Sequence, residues 1–330
     1  METLPTEFAG ALTCVEVSGD KAKRAQNAHE EVRAVLESDE TLRSWGVDTV
    51  LIGSYSRSTG IYPGKDVDVF SRMTNLSIRE SPLKVYRQVC EVLVSQYGKR
   101  ANPQNRSIKI AFEGLCVDVV PAVQWGKRWG IPSREQQRWA EPGKQWIETD
   151  PERLGALTTE RNKAPLVSGR GAYVPVVKLV RQARQHHVGD SKPGGLYFEL
   201  ATYWAFEGGV KGSSLAELLA GTLRSIARQL AIGQSKPLLD PALDRPYAPA
   251  PTPAELATAA KKFSQLAEAA ERALQVERCP AAIVWRGILG KNGRTPWCFP
   301  LPDGCDEKGR TITIITPNSN KGSNEGRPFA

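Results

Sequence analysis

An Asp-Val-Asp triplet at 66–68, eleven residues beyond Gly53-Ser54, constrains this chain more than any other feature. The alternation of DVDVF (66–70) predicts a strand with one wet face. Asp66 and Asp68 then project together while Val67 and Val69 face a core. Two carboxylates held that close repel each other unless a cation lies between them. A hard divalent ion such as Mg2+, which prefers oxygen ligands and keeps waters for phosphate, suits such a pair. The apolar run VDTVLIG (47–53) predicts a short buried strand ending at Gly53. Glycine there lets the backbone approach a phosphate closely, and the Ser54 hydroxyl with the following N–H groups can bond its oxygens. The intervening YSRSTGIYPGK is polar and turn-rich, and supplies Arg57 and Lys65 as further charge.

Asp118 lies in CVDVVPAV, an apolar strand where a lone aspartate is costly to bury. Two-metal phosphoryl transfer requires a third carboxylate, because the metal that activates the attacking hydroxyl needs its own ligand. Asp-x-Asp on a strand is usually just surface, and Gly-Ser after a strand is usually just a turn. Their joint order with Asp118 is what points to a metal-assisted phosphoryl-transfer site.

Around these motifs, residues 21–45 have helical period, through Ala25, Ala28, Val32, Val35, Leu36 and Leu42. Residues 82–97 do the same. IKIAF (108–112) and CVDVV (116–120) flank Glu-Gly-Leu and predict a hairpin. From about 150 onward the pattern is helical. Pro175 falls in the first turn of a helix reaching His187, and a second helix spans 196–207. A Ser214/Glu217 capping box opens a third, and Thr252, Pro253 and Glu255 open a fourth running to about Val276. Residues 236–253 hold six prolines and read as an extended surface connector. A short helix over 281–289 ends at Gly290. The stretch from 303 onward, apart from the strand-like TITII (311–315), reads as a flexible tail.

The formal net charge of +8 favours an anionic partner without choosing among polyphosphate, nucleic acid and membrane. Six cysteines show no C-x-x-C pair and no nearby histidine, which excludes zinc spacing. They read as reduced, three of them as small core residues. The N-terminus lacks signal-peptide character and no apolar run is long enough to span a membrane, so the expected compartment is the cytoplasm.

GSYSRSTGIYPGKDVDVF resembles the polymerase-β-type nucleotidyltransferase signature. HEEVRAVL, the Gly-Ser-Tyr form and the Arg57/Thr59 pair resemble the cGAS/DncV-like (CD-NTase) and oligoadenylate-synthetase branch. CVDVVPAV resembles that branch's third-aspartate strand, WIETDPERLGALTTERNK (146–163) its inter-lobe segment, and AAIVWRGILG (281–290) a late helix. The resemblance implies an α+β fold: a polymerase-β-like sheet core with a C-terminal helical, oligoadenylate-synthetase-like lobe. The boundaries expected are 1–150 for the catalytic lobe, 151–302 for the helical lobe that closes the nucleotide cleft, and 303–330 for the tail.

By the same resemblance, Asp66, Asp68 and Asp118 hold two Mg2+ ions, with Mn2+ able to substitute. Gly53, Ser54, Arg57, Lys178 and Lys192 contact nucleotide. Lys178, Arg181 and Arg184 form a basic stripe on one helix, and Glu199 follows KPGG, with Gly195 standing where the family has serine. His186 and His187 read as helix-end residues, and the tryptophans as core or interface. The implied function is condensation of NTPs (ATP and/or GTP, with pyrimidine NTPs left open) into a cyclic di- or oligonucleotide second messenger in antiphage, CBASS-type signalling. Nucleic acid and membrane are not required. The alternatives are transfer of a nucleotide to RNA, protein or a small molecule, or a catalytically idle nucleotide- or RNA-binding module. A tail ending in the small residue Ala330 also suits a ubiquitin-type conjugation enzyme acting on the C-terminus.

Overall fold

The computed structural model describes residues 3–64 and 67–312. Three helices, α1 (Pro5–Val15), α2 (Gly19–Ser38) and α3 (Glu40–Ser44), precede strand β1 (Val47–Ile52) and the single turn α4 (Gly53–Ser56). Then come β2 (Val67–Ser77), α5 (Pro82–Tyr97), β3 (Ala101–Pro103), β4 (Ile108–Phe112), β5 (Leu115–Trp125), β6 (Arg128–Pro132) and β7 (Trp146–Thr149). The strands form one mixed sheet in the order β1-β2-β5-β4-β3, with β6 on the far end of β5 and β7 beside it. Only β2 and β5 run parallel; the other pairs are antiparallel. Val67, Val69, Val117, Val119, Ile108 and Ile110 fill one face of the sheet beneath α2 and α5. The alternating residues stay on the other face, as the period-2 pattern predicts.

The second layer is helical: α6 (Pro151–Arg161), α7 (Tyr173–Val188), α8 (Gly195–Glu207), α9 (Leu215–Ile232), α10 (Pro253–Ala273) and α11 (Arg278–Leu289). Short pairs β8 (Leu166–Val167) with β9 (Arg170–Gly171), and β10 (Leu239–Asp240) with β11 (Arg245–Pro246), lie in the connections. Both expected capping boxes are present, Ser214 with Glu217 and Thr252 with Glu255. No helix among the described residues is long and apolar enough to cross a membrane. The α+β architecture is as expected.

Four local expectations are corrected. The single helix over 21–45 is two, because Asp39 stops α2 and its Oδ1 accepts the Leu42 N–H at 2.8 Å to start α3. The restart keeps both Leu36 and Leu42 buried. Helix α1 was not anticipated, and it joins the helical core: Phe8 meets Trp285 and Phe299 edge-to-face at 5.0 and 5.1 Å. Cys279 and Cys305 form a disulfide instead of two free thiols, which sequence spacing could not signal because the partners lie 26 residues apart. They meet because residues 303–312 fold back on α11. Asp306 accepts from the N–H groups of Lys308 and Arg310, and Cys305 bridges Thr311. The expected tail therefore begins later than 303. Residues 313–330, including most of TITII and Ala330, lie outside the described residues.

Candidate active site

The site starts where β1 ends. Gly53 has φ +74°, in the left-handed region that suits glycine, and turns the chain into α4. The Ser54 carbonyl accepts from the N–H groups of Thr59 and Gly60 at 2.9 and 3.1 Å, which closes the loop behind it. Lys21 donates to the carbonyls of Pro63 and Gly64 and holds the loop's far end. A Cβ at Gly53 would lie 2.2 Å from Asp68 Oδ2. Glycine is therefore required twice, by its φ and by the carboxylate packed against it. Gly53→Ala is expected to lower turnover by at least about 100-fold by displacing that carboxylate. Steady-state kinetics beside a melting curve check this, and full activity would mean that Asp68 is not held by this contact.

Asp68 on β2 stands directly opposite Asp118 on β5, and Asp118 stands opposite Lys109 on β4. The three therefore form one row on the wet face. Lys109 Nζ lies 3.8 Å from Asp118 Oδ2, whose side chain is 19% exposed. Asp66 and Lys65 lie outside the described residues. A pocket of about 460 Å³ opens over the row, lined by Asp68, Asp118, Val120 and the turn Gln104–Ser107, with Arg134 at its rim. Paired, half-buried carboxylates with a lysine against one of them, on an otherwise polar face, form a donor set that fits a hard divalent cation. Among the described residues no cluster of three His, Cys, Asp or Glu side chains is present.

Ser54 borders two further clefts. One, of about 200 Å³, runs past Glu16, Tyr55, Ser58 and Gly60 to Lys178 of α7. Lys178 Nζ donates to Glu16 Oε1 at 2.7 Å. The other, of about 180 Å³, is lined by Ser54, Arg181, Arg184 and Gly195. The basic stripe of α7 thus faces the serine loop, and Gly195 leaves room that the Arg181 guanidinium occupies. Arg57, expected at the phosphates, points instead into the seam between the Ser54 loop and α8. It is buried, and its Nε donates to Glu199 Oε1 at 2.6 Å. Thr59 and Arg181 join the same carboxylate at 3.1 and 3.4 Å. Burial and the Arg57 charge lower the Arg181 pKa, while Glu199 raises it. Lys192 is exposed in the turn before α8 and lines neither cleft. His187 faces the carbonyls of Gly287 and Ile288, and His186 packs on Gly290, both away from the aspartate row.

Sequence reasoning missed Lys109, Glu16, Arg106 and Arg134. For Lys109 a signal existed: counting back from the turn at Glu113-Gly114 pairs it with Asp118.

Residues 1–162 match the family model described as the Second Messenger Oligonucleotide or Dinucleotide Synthetase domain. The chain is 26% identical over 305 residues to a cyclic AMP-AMP-AMP synthase from an Acinetobacter species, covering 87% of this chain and 84% of that protein. Among solved structures it resembles E. coli MS115-1 CdnC with ATP, at TM-score 0.67 and 16% identity over 89% of this chain and 100% of that one. It also resembles Bradyrhizobium diazoefficiens CdnG with GTP, at TM-score 0.66 and 14% identity over 88% and 97%. These two likenesses establish the fold. With a matched synthetase domain over the Gly-Ser and aspartate motifs, and a relative of the same kind matched over most of both chains, the chain belongs to the cGAS/DncV-like nucleotidyltransferases.

Proposed function

We propose that this protein condenses NTPs into a cyclic di- or oligonucleotide second messenger, releasing pyrophosphate, in cytoplasmic antiphage signalling of the CBASS type. Membership of the family makes it a nucleotidyltransferase with divalent-metal-dependent chemistry. The observation that carries the reading is the row of Asp68 and Asp118 in parallel register, flanked by the Gly53-Ser54 loop that abuts Asp68. The relative's name favours ATP as a substrate, and the CdnC and CdnG structures hold ATP and GTP.

Divalent ions bound there, two Mg2+ or Mn2+ in this reading, would neutralise charge on the departing pyrophosphate and lower the pKa of the attacking hydroxyl. Asp66, Asp68 and Asp118 would hold them. Ser54 and the N–H groups of its loop bind the donor phosphates, with Lys178 placing its charge across the same cleft. The acceptor hydroxyl oxygen bonds to the donor α-phosphorus as the bond to the β-phosphate oxygen breaks. Asp118 orients that hydroxyl and accepts its proton. Arg57 acts through Glu199, by fixing the loop that carries Ser54. Lys192 reaches nucleotide only if the turn before α8 moves.

Purified protein incubated with the four NTPs and Mg2+ or Mn2+ tests the reading by mass spectrometry. Phosphatase-resistant products whose mass equals the sum of their nucleotide monophosphates less one water for each, with no terminal phosphate, are expected. Single-nucleotide adducts on RNA or protein, with no product from NTPs alone, would overturn it. As a further partner we propose a ubiquitin-type conjugation enzyme acting at Ala330, which intact-mass measurement of protein from the native cell would detect as an adduct.

A further inference from the structure

Two arginines used by neither the core nor the reaction just described face the aspartate row. Arg106 lies in the turn between β3 and β4, and Arg134 follows β6; both line the 460 Å³ pocket with Asp68 and Asp118. Strand order places that turn and the Ser54 loop on opposite sides of the aspartates. Ser54 follows β1, the aspartates occupy β2 and β5, and residues 104–107 lead into β4. At about 4.8 Å per strand, the two flanks are about 14 Å apart.

Both turns are fixed by buried aromatic residues. The Tyr86 hydroxyl donates to the Gln104 carbonyl at 2.6 Å, and the Gln104 N–H donates to the Ser107 carbonyl at 2.8 Å. Trp139 packs on Tyr86 with ring centroids 5.2 Å apart, and its indole N–H donates to the Ser133 carbonyl at 2.7 Å, next to Arg134. Among the described residues neither guanidinium takes part in an ion pair or a hydrogen bond. Burial and the neighbouring Arg134 charge lower the Arg106 pKa, and Asp68 only partly offsets them. Two always-charged forks held together beside a polar pocket are an arrangement that an anion completes.

We propose that Arg106 and Arg134 form the binding site for the 5′-phosphates of the acceptor nucleotide, the one whose hydroxyl attacks. The inference rests on the condensation reading above. The donor's departing pyrophosphate is held on the Ser54 side. The acceptor's own phosphates take no part in the step and carry like charge, so they are best placed on the opposite flank. With the hydroxyl at Asp118, the rest of the acceptor extends over β5 and β4 toward residues 104–107. The pocket volume is within the ordinary range for a small-molecule site.

One competition reaction tests this. A nucleoside and its 5′-monophosphate, at equal limiting concentrations, compete as acceptors while the matching NTP is the donor, with each of the four bases in turn. The two products, NpN and pNpN, differ in mass, and neither can cyclise because neither carries a triphosphate. The parent is expected to form pNpN in about tenfold excess or more. Arg134→Gln, at an exposed position, and Arg106→Gln are each expected to bring the ratio toward one. Arg106→Lys, which keeps the charge, should retain most of the preference and serves if Arg106→Gln fails to fold. A parent with no preference, or variants that keep it, overturns the inference and leaves the condensation reading standing. A parent that forms no dinucleotide of any kind with any base overturns both.

Discussion

Asp68→Asn is expected to cut NTP condensation by about three orders of magnitude, while the melting temperature without divalent cation holds or rises. The asparagine is nearly isosteric, so the contact of residue 68 with Gly53 and its place opposite Asp118 persist. What disappears is one negative charge from a face where Asp118 already requires Lys109 beside it. Without metal, removing that charge relieves repulsion. With metal, it removes a ligand. Asp118→Asn should behave alike in activity, with a smaller gain in stability because Lys109 then loses a partner. Pyrophosphate release and metal-free melting curves for both variants decide it. Robust synthesis by Asp68→Asn would sink the site assignment.

Glu199→Ala is expected to destabilise the fold by about 3–5 kcal/mol and to lower the melting temperature by about 5 °C or more. Its carboxylate joins the loop after Ser54 to helices α7 and α8. Side-chain exposures in its ion pair with Arg57 are 5% and 2%, so water cannot replace the lost partner. Arg57 and Arg181 would face each other across a cavity, and Thr59 would lose an acceptor. Glu199→Asp keeps the charge and should lose less. The same variant separates two roles for Arg57. A residue that binds nucleotide directly would change KM with little effect on melting, whereas a seam residue moves both. An unchanged melting temperature in Glu199→Ala would refute the seam.

The face that carries Asp68 and Asp118 was legible because strand period and hairpin counting are local. DVDVF and CVDVV declared which way Asp68 and Asp118 project, and β2 and β5 set them side by side. VDTVLIG announced β1, but that strand lies at the sheet edge with Thr49 as its one buried residue and is not the buried strand expected. Helices with chemical stops were legible too: α5 from Pro82, α9 and α10 from their capping boxes, α11 to Gly290. What failed depended on distant partners. Arg57 is indistinguishable in sequence from a phosphate ligand, and only the approach of Glu199, from far along the chain, turns it inward. Arg106 and Arg134 belong to irregular turns, where no period says which way a side chain points. Lys192 looked equivalent to Lys178, yet one lies on a helix facing the serine loop and the other on an exposed turn. For α1 the pattern was present, with Leu4, Phe8, Ala11 and Val15 at helical steps, but a first turn led by Leu4 at φ 47° carries no side-chain cap to announce it.

That first helix has a consequence for how the protein is made. Phe8 is translated long before the rings it packs against, Trp285 and Phe299. Joining ends so far apart costs little equilibrium stability, because loop-closure entropy grows only about 0.6 kcal/mol per doubling of length. It costs time, since non-local contacts form late. Until synthesis reaches α11, the apolar face of α1 has no complete socket, even though Asp68 and Asp118 have long since been translated. A chain released early therefore presents that face to proteases and chaperones. Glu16, which caps the same helix, meets Lys178 of α7. The arrangement makes one wall of the nucleotide cleft depend on a helix whose own socket is translated last among the elements that hold it.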